Sequence, residues 1–223
     1  GSGPHPDLDA NLDAGRTIIK LVESVGMVDV DAKIGHGTHI AGIIASISDN
    51  GIGGAGVAPQ ARILPIRVLD AEGEGKSPDV AKAVRFAVDS GAKVINLSLG
   101  GEDESTKLTE ALEYAASHNV LVVAAAGNGT ADSTPKWPAA SDLTLAVTAV
   151  DRDNNVASFG QRGDYIDLSA PGVSILSSAV GIYNDKICPT STPLFCYSSG
   201  TSMAAAFVTG AAALLFAAQP SIT

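Results

Sequence analysis

Residues 93–126 read KVINLSLGGEDESTKLTEALEYAASHNVLVVAAA, and this stretch decides the fold class. Residues 93–99 (KVINLSL) form a short run rich in apolar and β-branched side chains, which predicts a strand. Residues 106–117 bring Leu108, Ala111, Leu112 and Ala115 to one face at helical spacing. Residues 120–126 (VLVVAAA) are apolar throughout, the pattern of a strand covered on both faces. Strand, helix and strand in that order imply a parallel pair joined by a crossover.

The alternation continues outward in both directions. Residues 62–69 (RILPIRVL) are β-rich, and residues 78–90 carry Val80, Ala83, Val84, Ala87 and Val88 at helical spacing. Residues 144–150 and 166–169 read as further strands, and residues 200–218 as a long final helix. The predicted class is α/β: a parallel twisted sheet with helices on both faces, in three layers. Ligand sites in such sheets lie at the carboxyl ends of the strands. No repeat, low-complexity tract or linker interrupts residues 1–223, so one domain is expected.

Composition narrows the classes. The 223 residues hold 14 Lys and Arg against 24 Asp and Glu, a net charge of −10. Hydrophobic residues make up 45% and charged residues 17%, which excludes a disordered chain. A strongly acidic surface repels phosphate backbones, so nucleic acid is not an expected partner. The longest apolar stretch, residues 203–218, is interrupted by Thr209 and Gly210. It falls short of the about 18 residues of a membrane span and reads as a buried core helix. The sequence does not open on Met and shows no charged-then-apolar leader. It is expected to begin inside a longer gene product or behind an expression scar. Cys188 and Cys196, with Pro189 and Pro193 between them, either close a small disulfide in an oxidising compartment or remain two thiols.

Three small-residue clusters carry the chemistry: GHGTHIAGII at residues 35–44, AAAGNG at 124–129, and SGTSMAAA at 199–206. Ser202 lies at the start of a helix, where free backbone N–H groups can stabilise a developing oxyanion. A serine hydroxyl needs a base before it can attack. Of the four histidines, only His36 sits between glycines at the mouth of a helix. Asn128 follows a buried strand and is a candidate second oxyanion donor. Singly, each has a plainer reading: a helix cap, a capping or core histidine, a turn. His36 and His39 are three apart with no Glu after His36, which breaks the zinc-protease spacing.

Taken in order, GHGTHIAGII, NLSLGG, AAAGN, APGVSI and SGTSMAA resemble the subtilisin-like serine protease (subtilase) family. The resemblance runs from Pro4 to the end of the chain. It implies a subtilisin-like fold and a serine endopeptidase working through an acyl-enzyme. It assigns the general base to His36, the nucleophile to Ser202 and an oxyanion donor to Asn128. Ser98-Leu99-Gly100 and Gly73-Glu74-Gly75 resemble the two edges that hold an extended substrate, joined by Ala125 and Gly127. The family commonly binds Ca²⁺. Here the resemblance implies side-chain oxygens of Asp7 and Asn50 with carbonyls of Ser48, Ile52 and Gly54. It also implies a secreted monomer, a polypeptide substrate, and a propeptide or proteinaceous inhibitor as partner.

The sequence departs from the pattern in three places. The triad Asp of the family precedes the His5-Pro6-Asp7-Leu8 segment, and no Asp stands there. Either it lies upstream of Gly1, or Gly1 replaces it, or Gly1-Ser2-Gly3 is a scar. Truncation is the expectation, with negligible activity for residues 1–223 alone. In subtilisin, a family member, loss of that Asp costs about 3 × 10⁴ in turnover. A replacement would instead give a non-catalytic peptide-binding domain. The second departure puts Ala206 and Phe207 where the family usually has Pro and His, which raises a transpeptidase or ligase variant as an alternative. The third is Gly129, where some relatives carry Glu, which argues against a preference for basic side chains.

Overall fold

The computed structural model describes residues 5–20, 22–25, 35–130, 133–180, 188 and 194–222. The readings placed on Gly1, Ser2, Gly3, Pro4, Pro189 and Pro193 lie outside the described residues. The chain divides into two compact units, one of Gly1–Ala83 with Leu176–Ser198, the other of Val84–Ile175 with Ser199–Thr223.

The second unit is the α/β layer structure predicted. Strands β4 (Val94–Leu97), β5 (Leu121–Ala125), β6 (Leu145–Val150) and β7 (Leu168–Pro171) form a parallel sheet in that order. Alternate side chains point to opposite faces. Val123, Ala125, Val147 and Ala149 pack with Ala204 and Ala205 of α4 (Thr201–Ala218). Ala124 and Ala146 instead pack with Ala139. Small side chains on both partners let the helix backbone approach the sheet closely. Helix α3 (Thr106–Ser117) buries Leu108, Ala111, Leu112 and Ala115, the stripe expected from spacing.

Helix α4 departs from its reading as a core helix throughout. Its first turns are buried, whereas Leu214 and Leu215 are each 48% exposed. Lengths explain this. Eighteen residues make a helix of about 27 Å, while strands of four to six residues span only about 13–20 Å. The far half overhangs the sheet. By length and composition alone α4 is long and apolar enough to cross a membrane.

The first unit opens on a 3-10 turn, Asp9–Asn11, then β1 (Arg16–Ile19), which pairs antiparallel with β2 (Val22–Val25) and parallel with β3 (Ile66–Arg67). The strand expected over 62–69 thus shrinks to two residues. Pro65 has no N–H to give a ladder, and Ile63 makes only an isolated bridge to Leu12. Helix α2 (Ser77–Asp89) spans the division between the two units.

Helix α1 (His36–Ala45) begins after Gly35, whose φ of 68° and ψ of 71° place it in the left-handed region. Glycine occupies that region without strain. Gly42 serves close packing: a Cβ there would stand 2.3 Å from Ser177 Oγ and 2.7 Å from Ser178 Oγ. Those serines end β8 (Ile175–Ser178), which pairs with β9 (Phe195–Ser198). Ser177 donates its hydroxyl to the His39 carbonyl at 2.8 Å. His39 Nε2 lies 3.0 Å from the Cys196 carbonyl. Cys196 and Cys188 form a disulfide, the first of the two alternatives left by the sequence.

Candidate active site

Ser202 is the second residue of α4, and four hydrogen bonds fix the backbone around it. Asn128 Oδ1 accepts from the Thr201 N–H at 2.8 Å and from the Thr201 hydroxyl at 3.0 Å. The Thr201 hydroxyl in turn accepts from the Gly127 N–H at 3.1 Å. Gly200 N–H donates to the Gly172 carbonyl at 2.8 Å. An amide whose oxygen takes two donors must turn its NH₂ the other way. Asn128 therefore presents a donor, on an exposed side chain, beside the start of the helix. Met203 N–H turns back to the Gly200 carbonyl, and no described residue accepts from the Ser202 N–H. Two donors of the kind that hold an oxyanion thus lie at the helix start that carries Ser202.

A second set of bonds ties the Ser202 carbonyl to the sheet. Thr209 donates its hydroxyl to Asn96 Oδ1, Asn96 Nδ2 donates to Ser98 Oγ, and Ser98 donates to the Ser202 carbonyl, each at 2.9 Å. The Ser202 hydroxyl lies 3.5 Å from the Ser98 carbonyl, too long to hold it firmly. Ser98, Leu99 and Gly100 follow the carboxyl end of β4, and Ala125 and Gly127 follow or end β5. The second unit thus brings together Ser98, Gly127, Asn128 and Ser202 at the sheet end where ligands are expected.

The first unit holds the other candidates. His36 is the first residue of α1 and remains partly exposed. Gly73, Glu74 and Gly75 lie in an exposed loop, not in a strand. The Asp70 carboxylate accepts from the Glu72 and Glu74 N–H groups there, at 3.1 and 2.9 Å.

Asp7 is fully buried. Its Oδ1 accepts from Asn50 Nδ2 at 2.8 Å, while its Oδ2 has no hydrogen-bond partner. A Cβ on Gly53 would stand 2.9 Å from that Oδ2. A buried carboxylate with a spare oxygen needs a counter-charge. Asn50 Oδ1 accepts from the Ile52 N–H at 2.9 Å, which folds the 48–54 loop over Asp7. Ser48, Ile52 and Gly54 belong to the same loop, and their carbonyls with the spare Asp7 oxygen are donors of the kind a hard cation takes, although Asn50 here turns its amide nitrogen, not its oxygen, to Asp7. Among the described residues no cluster of three His, Cys, Asp or Glu could hold a metal, so backbone carbonyls would have to complete the set. His5 accepts from the Asp7 N–H at Nδ1, so its ring proton sits on Nε2 and goes to the Leu194 carbonyl at 2.8 Å.

Sequence reasoning did not find Thr201, Asn96 or Thr209. Asn96 left a signal, since an amide inside an apolar strand run must find partners. Thr201 left one in the SGTSMAA cluster. Thr209 left none, because its partner lies 113 positions away.

The sequence profile of the subtilase family matches residues 2–223. A thermophilic serine proteinase from Bacillus sp. (strain AK1) is 43% identical over 95% of this chain and 48% of its own length. Thermitase from Thermoactinomyces vulgaris is 42% identical over 95% of this chain and 70% of its own. The chain thus spans about half of the first relative and more of the second. Among solved structures, a protease from Pseudoalteromonas arctica PAMC 21717 superposes with a TM-score of 0.88 at 32% identity, over 100% of this chain and 77% of that one. Fervidolysin from Fervidobacterium pennivorans gives 0.87 at 37% identity, over 99% of this chain and 35% of its own.

Proposed function

The chain belongs to the subtilase family, and from that membership we propose that it is the catalytic part of a serine endopeptidase. Ser202 is the nucleophile, His36 the general base, and Asn128 Nδ2 with the Ser202 N–H the oxyanion donors. The observation that carries this reading is the orientation of Asn128. Thr201 takes its oxygen and leaves its NH₂ as a donor beside the serine.

The chemistry balances as two acyl transfers. Ser202 Oγ bonds to the substrate carbonyl carbon while its proton passes to His36. The carbonyl oxygen becomes an oxyanion and takes hydrogen bonds from Asn128 and the Ser202 backbone. His36 then gives its proton to the leaving amine as the C–N bond breaks. Water repeats the attack, His36 takes its proton, and the return of that proton to Ser202 Oγ releases the acid. Modification of Ser202 by a fluorophosphonate tests the assignment.

An extended polypeptide would lie along Ser98-Leu99-Gly100 and Gly73-Glu74-Gly75, with Ala125 and Gly127 under its acyl side. A propeptide or proteinaceous inhibitor would use the same strands. Asp7, Asn50 and the carbonyls of Ser48, Ile52 and Gly54 would hold Ca²⁺, which supplies the positive charge that buried Asp7 lacks. The Cys188–Cys196 bond supports an extracellular, oxidising location. A second reading keeps the acyl-enzyme and changes only the acceptor. Ala206 is fully buried within an unbroken α4, and an altered serine position would favour amines over water. Product analysis with an added amine separates hydrolysis from ligation.

A further inference from the structure

Gly127, whose N–H donates to the Thr201 hydroxyl, and Gly100, two residues past Ser98, face the same lysine. A Cβ on Gly127 would stand 2.8 Å from Cγ of Lys136, and a Cβ on Gly100 would stand 3.5 Å from its Cβ. The lysine stem therefore runs in the space that side chains on those segments would fill. Its position is fixed from behind. Gly101 and Trp137 exchange both backbone hydrogen bonds, at 2.8 and 2.9 Å. The Lys136 carbonyl accepts from the Ala140 N–H at 2.9 Å. The stem ends in an ammonium 2.9 Å from Glu102 Oε1. Lys136 is 26% exposed, whereas Glu102 is 82% exposed.

Gln161, which also faces Gly127, is uncharged. Gln161 is fully buried, and its Oε1 would lie 2.8 Å from a Cβ on Gly127. Both ends of its amide are used, Nε2 on the Thr134 carbonyl and Oε1 by the Tyr165 hydroxyl. Among the described residues, Lys136 is thus a charge beside Gly127 that is held by the fold, and its counter-ion is a solvated side chain. Such a pair exchanges its carboxylate at little cost. A carboxylate arriving on a substrate keeps the charge-assisted bond and gains the exclusion of water.

We propose that Lys136 determines specificity, selecting an acidic side chain on the residue that supplies the attacked carbonyl, with Glu102 occupying the ammonium in the free protein. This rests on the reading of Ser202 and Asn128 as nucleophile and oxyanion donor, because those residues set where the acyl residue lies. A basic side chain at that residue meets the ammonium and is disfavoured.

The test uses full-length protein and four peptides that differ only at the acyl residue: Glu, Gln, Leu and Lys. The Glu-to-Gln ratio of kcat/KM is expected to be about 10 in the natural protein. It falls to about 1 in Lys136→Met, persists in Lys136→Arg and rises in Glu102→Gln. Lys136→Glu shifts preference to the Lys peptide. Ratios within one variant cancel any loss of folded protein. Cleavage with a Glu-to-Gln ratio near 1 in the natural protein, or unchanged in Lys136→Met, overturns the proposal and leaves the protease reading intact. No cleavage of any peptide, together with no fluorophosphonate adduct on Ser202, overturns both.

Discussion

The backbone N–H and the hydroxyl of Thr201 both end on Oδ1 of Asn128, at 2.8 and 3.0 Å. One amide thereby does two jobs. Its oxygen closes the open start of α4, where the helix has no hydrogen bonds of its own, and its nitrogen is left to donate, the role proposed for it toward the oxyanion. The residue type follows. A carboxylate would close the helix and repel the oxyanion, and an aliphatic side chain would do neither.

Asn128→Asp keeps the shape and the acceptor and loses the donor. Turnover is expected to fall by about 10²–10³, with the thermal midpoint nearly unchanged. Asn128→Ala loses both functions and costs about 1 kcal/mol of stability as well, the usual value of a helix cap. Steady-state kinetics beside thermal melting separates the two roles, and full activity in Asn128→Asp would contradict them.

The Thr209–Asn96–Ser98–Ser202 series is read as one unit. Removing Ser98 Oγ leaves Asn96 and the Ser202 carbonyl short of a partner, so Ser98→Ala should cost about 1–3 kcal/mol. Thr209→Val acts on the far end of the same series. A double-mutant cycle by urea unfolding should give a coupling of at least about 0.5 kcal/mol. Strict additivity would mean that the bonds act separately.

Asp7 should couple stability to calcium. Adding Ca²⁺ at about 100 times its Kd stabilises a folded protein by about 2.7 kcal/mol. The natural protein should melt higher in calcium than in chelator. Asp7→Asn should melt at the same temperature in both. A calcium response that survives in Asp7→Asn would place the ion elsewhere.

The Lys136 hydrogen bond, and then its charge, hold the carboxyl of Glu102 below the ordinary glutamate range. The sign follows from the lowered folded value. The pair contributes above the unfolded value and is lost as pH falls through the folded one. Carboxyl NMR titration should show Glu102 returning upward toward its ordinary range in Lys136→Met. An unmoved titration would separate the two residues in solution.

The sequence made some of this plain and hid the rest, for physical reasons. Leu108, Ala111, Leu112 and Ala115 declared α3 because a buried helical face repeats along the chain. The all-apolar run ending at Ala126 declared a strand covered on both faces. Ser202 and Asn128 stood out because small residues surround them. Leu214 and Leu215 misled, since an apolar helix gives no sign of where its sheet ends. The β1–β2 hairpin and the β8–β9 pair were missed, being short strands of mixed character. Lys136 was invisible, because its role comes from two glycines nine and 36 positions upstream that the fold lays against its stem.

The role proposed for Ser202 is that of a nucleophile activated by His36. The direct measurement is fluorophosphonate labelling of the full-length protein, with the adduct located by peptide mass spectrometry. One adduct on Ser202 is predicted, absent in Ser202→Ala and slowed by orders of magnitude in His36→Ala. Peptide cleavage that persists in Ser202→Ala, or an adduct on any other residue, would contradict the account.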